Sequence, residues 1–393
     1  MSAESGSNVS KSLINLPASL VLTKEGFDFM ARGKTPLTRV PGMGTTGRDG
    51  LKADKGFHAQ VVQKMAMNSY LEEIYVAQPD LLSRRAEIIS TNNLIVYAIL
   101  YKKLSPTLAE KILESNVVKD FNRKNPKHSL VDFRSIPKTA ADELVTKKKD
   151  LFDIIFNDLK DHVDYRLSRT DLPEEDKMTR KRALDKFVRW IDNRIWFLYH
   201  ILYQSPLQGE MEKTFADIIY TYLDNTSIAT HLSNLVMEFV QNAEKAHFER
   251  LVVRNNLSTS EMVDVFLRDS KNRGQVIELA KKNKQMLEIS WSMNPGRAQV
   301  GKQYRILIRI SNYGMVDEQT RAKLSKKMQT NTDGIALGDF YNQADPEKLG
   351  AGLGLLYNSY LEDFCRQKKI KYFCNLFPEP AVEKTTVQIE ITL

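Results

Sequence analysis

Apolar residues recur at spacings of three and four over much of the first half of the chain. Four segments show this pattern: AQVVQKMAMNSYLEEIYVAQ, NNLIVYAILYKKL, AADELVTKKKDLFDIIFNDLKDHVDYRL and MTRKRALDKFVRWIDNRIWFLYHILYQ. The spacing is typical of amphipathic helices, because it places the apolar side chains on one face. We therefore expect an all-helical region over residues 59–225, which could sense a signal or mediate dimerisation.

Residues 1–58 show little periodicity and hold many glycines and prolines. Such residues form turns, so we expect an irregular or mobile leader. The segment Gly42-Met-Gly-Thr-Thr-Gly47 has the letters of the dinucleotide-binding fingerprint. No strand pattern precedes it and no helix pattern follows it, so we interpret it as a turn.

The pattern changes after residue 225. Two helical segments are followed by alternating, strand-like segments, a polar stretch that resembles a lid, and two closing strands: helices at 230–250 and 258–284, strands at 286–294 and 304–312, the lid at 316–348, and the strands KYFCNLF and TTVQIEITL. Helices segregated from mostly antiparallel strands indicate the α+β class, with a helix layer on one face of a sheet. We expect residues 226–393 to form this second domain.

Composition narrows the functional classes only slightly. The formal net charge of +8 would suit an anionic partner, and a solvated basic surface explains it as well. The cysteines, Cys365 and Cys374, have no metal-binding spacing, which fits a reducing compartment. The amino terminus lacks the pattern of a secretory signal, and the apolar run at 94–101 is too short to span a bilayer. We expect a soluble, cytoplasmic protein with no membrane partner and no nucleic-acid partner.

Three glycines stand in the segment LGAGLGL at 349–355, just before an amphipathic pattern. Gly350, Gly352 and Gly354 would open a helix, where free amides and the positive helix end attract phosphate. Glycine also allows a ligand to approach the backbone closely. Leu355 belongs to the same turn and can anchor it in the core.

A second motif lies in the helix predicted at 230–250. Glu238 and Asn242 are four residues apart and therefore neighbours on one helix face. An amide oxygen is a suitable ligand for Mg²⁺ that already holds phosphate oxygens, and a carboxylate one turn away can orient or deprotonate a nucleophile.

The order of these motifs resembles that of the GHKL ATPases, which include gyrase, the ninety-kilodalton chaperones, MutL and the sensor histidine kinases. The resemblance covers roughly residues 226–393 and implies a Bergerat-type α/β sandwich that binds ATP and Mg²⁺. It implies that Asn242 holds Mg²⁺, that Glu238 activates the attacking group and that Lys245 contacts a phosphate. The glycine segment would carry the ATP phosphates, and the lid would cover the nucleotide.

The chain departs from the family at the adenine-binding motif, where an Asp-x-Gly-x-Gly sequence is expected. It has Asn312-Tyr-Gly314-Met-Val316 instead. Asn312 can still accept a hydrogen bond through its amide oxygen, and Gly314 keeps the turn. Replacing a charge-assisted bond by a neutral one costs about 1 kcal/mol, so weaker ATP binding is expected rather than none.

Three functional hypotheses remain open. The first is a signalling protein with a histidine-kinase-like ATP domain behind a helical region that senses a signal or forms a homodimer. The second is an ATP-gated protein that binds a protein partner without phosphotransfer, and the third is a catalytically degenerate scaffold. A kinase needs an acceptor histidine, and the candidates are His162, His200 and His231. His200 stands among apolar residues, which favours a core or interface role.

Overall fold

The computed structural model describes residues 13–32, 38–43, 47–203, 206–259, 262–293, 304–316 and 353–393, with only the backbone described at Met43 and at 353–356. The chain divides into two compact units. One comprises the residues up to Ala98 together with those from Ile228 onward, and the other comprises Ile99–Ser227. The second unit ends close to the predicted boundary at 225, but it begins forty residues later than the helical region was expected to begin.

The amino-terminal part contains short strands as well as helices. Its elements are β1 (Leu13–Ile14), β2 (Ala18–Leu22), α1 (Lys24–Arg32), β3 (Thr38–Met43), β4 (Arg48–Ala53), β5 (Phe57–His58), α2 (Ala59–Met67) and β6 (Leu71–Gln78). The prediction of an irregular leader is therefore wrong for its described residues. The turn formers were recognised, but they accompany strands of two to six residues: Gly42 lies near the end of β3 and Gly47 directly before β4, both with positive φ angles.

The segment Ala59–Gln78, predicted to be one helix, is a helix followed by a strand. Helix α2 ends because Ser69 adopts a left-handed conformation with a φ of 59°. The amide of Tyr70 then donates to the carbonyl of Met65, as at many helix ends. The alternating sequence that follows forms β6, in which Ile74 and Val76 are fully buried.

All regular elements described between residues 85 and 225 are helices. The helices are α3 (Arg85–Leu113), α4 (Asn116–Lys124), α5 (Lys138–Lys147), α6 (Lys149–Ser168), α7 (Glu174–Trp190), α8 (Asn193–Tyr203) and α9 (Gln208–Asn225). Large aromatic side chains form the core of the second unit: Phe152, Phe187, Trp196, Tyr199 and Phe215 are all fully buried. The amphipathic segments of this part of the sequence lie in α3 and in α5 to α8, whereas α4 and α9 lie outside them.

The carboxy-terminal part follows the predicted order of elements. It contains α10 (Ser227–Arg254), α11 (Val263–Arg268), α12 (Ser270–Lys282), β7 (Leu287–Met293), β8 (Arg305–Tyr313), α13 (Leu353–Gln367), β9 (Lys371–Glu379) and β10 (Lys384–Thr392). The single helix predicted at 258–284 is divided at Asp269. The carboxylate of Asp269 caps α12 by accepting from the amides of Lys271 and Asn272. The lid segment predicted at 316–348 lies almost wholly outside the described residues.

Eight strands of the first unit form one sheet, in the order β3-β4-β2-β6-β7-β8-β10-β9. Every pairing in it is antiparallel. The chain is therefore α+β, as its pattern predicts. The amino-terminal strands continue the carboxy-terminal ones in the same sheet, since Ile74 of β6 lies opposite Trp291 of β7.

One face of the sheet is apolar across neighbouring strands. In this face Ile308 lies opposite Trp291 on one side and opposite Ile389 on the other, and all three are buried. Asn312 lies on the same face, four residues further along β8, and is also buried. A buried amide at the end of an apolar strand face is the kind of polar group that requires a partner.

Candidate functional site

The predicted motif helix is part of α10, which is packed over most of its length. Leu235, Val236 and Phe239 are buried, as the apolar stripe predicted. Glu238 and Asn242 are half-buried and lie one turn apart on a neighbouring face. Within the described part of the chain, neither side chain makes a hydrogen bond, so both are free to contact a ligand.

The environment of Glu238 makes it a better proton acceptor than an exposed carboxylate. Burial raises the pKa of the Glu238 carboxyl above its ordinary value, because it penalises the charged form. The positive charge of Arg85 acts in the opposite direction. A carboxylate with a raised pKa is suited to take a proton from a nucleophile near neutral pH.

The helix that follows the glycine segment packs beside the amino-terminal part of α10. Tyr357 is buried in α13, and its hydroxyl lies 2.8 Å from Nδ1 of His231 and accepts from Nδ2 of Asn234 at 3.3 Å. Two turns further along α13, the ring of Phe364 lies 4.9 Å from that of His231. Tyr357, which is nearer the start of α13 than Phe364, therefore contacts both His231 and Asn234 of α10. Glu238 lies one turn beyond Asn234 in α10.

The predicted phosphate-binding glycines fall partly outside the described residues. Gly350 and Gly352 are not among them, whereas Gly354 and Leu355 have a described backbone in the first turn of α13. Helix α13 begins at Leu353, so this part of the motif does open a helix. The first amides of such a helix have no intrahelical partner and can bind an anion.

The predicted adenine-binding turn lies at the end of β8. Gly314 has a φ of +108°, which side chains rarely adopt, and its Cβ position would overlap the guanidinium of Arg250. Arg250 extends from α10 and donates to the carbonyl of Tyr313 at 2.8 Å and to that of Met315. Asn312 donates through Nδ2 to the carbonyl of Tyr313 at 3.3 Å. No described residue donates a hydrogen bond to the amide oxygen of Asn312, so this oxygen can accept from a ligand.

Sequence reasoning missed two residues that shape this turn. Arg250 holds two carbonyls of the turn, and Thr385 of β10 donates to the carbonyl of Gly314 at 2.7 Å. Thr385 also lies directly opposite Asn312 in the sheet. No local pattern could have revealed either contact, because each joins residues more than sixty positions apart.

Lys245, the expected phosphate contact, is exposed and already pairs with acids. Its Nζ lies 3.3 Å from the carboxylate of Asp264 and 3.7 Å from that of Glu249. Exposed ion pairs contribute about 0–1 kcal/mol each, so a phosphate could compete for the lysine at little cost.

A buried ion pair joins α12 to α10. Glu244 is only 1% exposed, accepts from the amides of Leu81 at 2.8 Å and Leu82 at 3.0 Å, and forms an ion pair with Arg273 of α12. Arg273 also lies 3.5 Å from the carboxylate of Asp80. Helix α12 therefore neutralises a charge on the buried face of α10.

The described residues do not form a complete magnesium site by themselves. Within the described residues, no three His, Cys, Asp or Glu side chains come together as a metal site. Asn242 offers one neutral oxygen, which suits an ion that already holds phosphate oxygens and water. The donors among the described residues therefore fit Mg²⁺ bound together with a nucleotide and do not fit a metal held by these residues alone.

The three candidate acceptor histidines have different surroundings. His200 lies 2.8 Å from Nζ of Lys148, and burial lowers its pKa. Burial also lowers the pKa of His231, whose ring contacts Tyr357. His162 is exposed, and its Nδ1 lies 3.1 Å from the carboxylate of Glu212. Of these three, His162 is the most accessible for modification.

Comparisons with known proteins place the chain in a family. The chain belongs to the family of unknown function DUF8084, whose model matches residues 9–393. It is 26% identical to a protein described as uncharacterized from Treponema pallidum (strain Nichols), over 96% of this chain and 97% of that protein. No solved structure matches it. In the described part of the chain, no helix has the length and apolar character needed to cross a bilayer.

Proposed function

We propose that the protein is an ATP-binding signalling protein whose first unit contains a histidine-kinase-like, Bergerat-type nucleotide site. One observation supports the proposal: residues of α10 contact or carry parts of the three motifs in one row. Asn234 donates to Tyr357 of α13, Glu238 and Asn242 follow along the helix, and Arg250 donates to the carbonyl of Tyr313 in the Asn312–Gly314 turn. With a rise of about 1.5 Å per residue, Asn242 lies roughly 12 Å from either end of this row.

That spacing suits a nucleotide placed with its phosphates toward α13 and its base toward the Asn312 turn. Asn242 would hold Mg²⁺, which neutralises phosphate charge when it is bound. Glu238 would take the proton from the attacking group, and the amide oxygen of Asn312 would accept from the base. The reaction is ATP hydrolysis or phosphotransfer.

Ligand-induced stabilisation tests the site. A ligand that binds only the folded state stabilises it by about 2.7 kcal/mol at a concentration one hundred times its Kd. Mg²⁺ with ATP should therefore raise the Tm of the wild-type protein, and Asn242→Ala should abolish that rise. Gln241→Ala is the matched control, because Gln241 is the adjacent residue of the same helix and equally half-buried. Unchanged stabilisation of Asn242→Ala would refute the assignment.

A second candidate is an ATP-gated interaction protein that hydrolyses ATP without forming phosphohistidine. The surroundings of His200 and His231 favour it, because both imidazoles are already engaged by neighbouring side chains. Incubation with γ-labelled ATP separates the two: label retained on a histidine supports the kinase, and free phosphate alone supports the gated protein. In the latter case we expect a protein partner that binds only the nucleotide-loaded form.

A further inference from the structure

Helix α3 runs antiparallel to α10 beside the candidate site. Nδ2 of Asn92 donates to the hydroxyl of Ser233 at 2.8 Å, and the amide of Leu81 donates to Glu244 at 2.8 Å. The earlier residue of the first segment, Leu81, thus contacts the later residue of α10, and the two segments run in opposite directions. Arg85, the first residue of α3, lies between these two contacts and is therefore level with the residues just before Asn242.

Arg85 is a cation with no ion-pair partner among the described residues. Its neighbour Arg84 lies 3.7 Å from the carboxylate of Glu87, whereas Arg85 is exposed and forms no ion pair or hydrogen bond with another described residue. Its positive charge nevertheless acts on Glu238. A guanidinium keeps its charge at all ordinary pH values and has five donors suited to phosphate oxygens.

The terminal phosphate of a bound triphosphate would place negative charge beside Glu238. A general base must lie within hydrogen-bonding distance of its nucleophile, directly or through one water. The terminal phosphate of a triphosphate would thus lie close to Glu238, and two negative groups would repel each other. A cation at this point reduces that repulsion, and a diphosphate would not need it.

We propose that Arg85 is a binding residue of the nucleotide site, which offsets the charge of Glu238 and selects a nucleoside triphosphate over a diphosphate. This inference rests on the proposed function. Arg85 lies outside residues 226–393, so the amino-terminal part of the chain completes a site whose motifs are carboxy-terminal.

Calorimetric titration with Mg-ATP and with Mg-ADP tests the proposal. Arg85→Gln should lose about tenfold in affinity for Mg-ATP and less than about twofold for Mg-ADP, because one charge–charge interaction is removed. Arg85→Lys should recover most of the loss, since it restores the charge. Arg84→Gln is the matched control and should bind both nucleotides as the wild type does.

The outcomes separate this inference from the proposed function. If the wild type binds neither nucleotide, the proposed function fails and the role of Arg85 fails with it. If the wild type binds Mg-ATP and Arg85→Gln keeps the same ratio of the two affinities, Arg85 has no selective role while the site itself stands. An equal loss for both nucleotides would likewise overturn the inference, because it would indicate a structural effect.

Discussion

Substitution of Gly314 by alanine tests the geometry of the turn at the end of β8. A side chain at a φ of +108° is strained by about 1–3 kcal/mol. The new Cβ would also displace the guanidinium of Arg250, which bonds the carbonyls of Tyr313 and Met315. Hydrogen bonds to a charged group contribute about 1.5–3 kcal/mol when buried, and less at this half-exposed position. We expect Gly314→Ala to lower the free energy of unfolding by about 3 kcal/mol in total.

Urea unfolding measures this change, and Gly274→Ala is the control. Gly274 lies in α12 with open space around its Cβ position, so alanine should raise the free energy of unfolding by about 0.5–1 kcal/mol. In an Arg250→Ala background the steric overlap is absent and only the backbone strain remains. Gly314→Ala should therefore cost less in that background than in the wild type. An equal cost in both backgrounds, or none in either, would refute the geometry.

Three further changes follow from buried groups. Glu244→Gln should lower the free energy of unfolding by about 3 kcal/mol, because its arginine partner loses a buried counter-charge, whereas Glu249→Gln should change it by less than about 0.5 kcal/mol. Tyr357→Phe removes the hydroxyl that contacts His231 and should cost about 1 kcal/mol by the same measurement. Burial lowers the pKa of His247 from 6.5 to about 4, so the folded state favours the neutral ring. The free energy of unfolding should therefore decrease by on the order of 3 kcal/mol as the pH drops from 6.5 toward 4. His247→Gln should remove this part of the pH dependence, as measured by unfolding curves at each pH.

The helices and strands after residue 225 could be predicted because each one has a continuous local pattern. The α10 stripe and the alternation of β7 and β8 extend over seven residues or more. The motif residues Glu238 and Asn242 could likewise be placed on one face, because helix geometry alone determines which residues are neighbours. These features required no knowledge of distant contacts.

The amino-terminal strands could not be predicted in the same way. Strands β2, β3 and β4 have six residues or fewer, and β3 and β4 contain glycine or proline, so local patterns identified only the turns. Strand β2 is buried along its whole length because β4 and β6 pair with it on both sides. That burial is a product of tertiary structure. The same limit applies to Arg250 and Thr385, whose partners are distant in sequence, and to Arg85, whose charge acts on the distant Glu238.

These long-range contacts also determine where the candidate nucleotide unit begins. The motif resemblance starts near residue 226, but β7 pairs with β6 on the side away from β8. A fragment starting at 226 would expose the edge of β7, and Glu244 would lose the two amides of Leu81 and Leu82 while it stayed on the buried face of α10. An unsatisfied buried carboxylate and an open apolar strand edge are both unfavourable. The smallest stable form of the site must therefore include the strands that precede α3, and the amino-terminal segment is a structural part of the candidate nucleotide site.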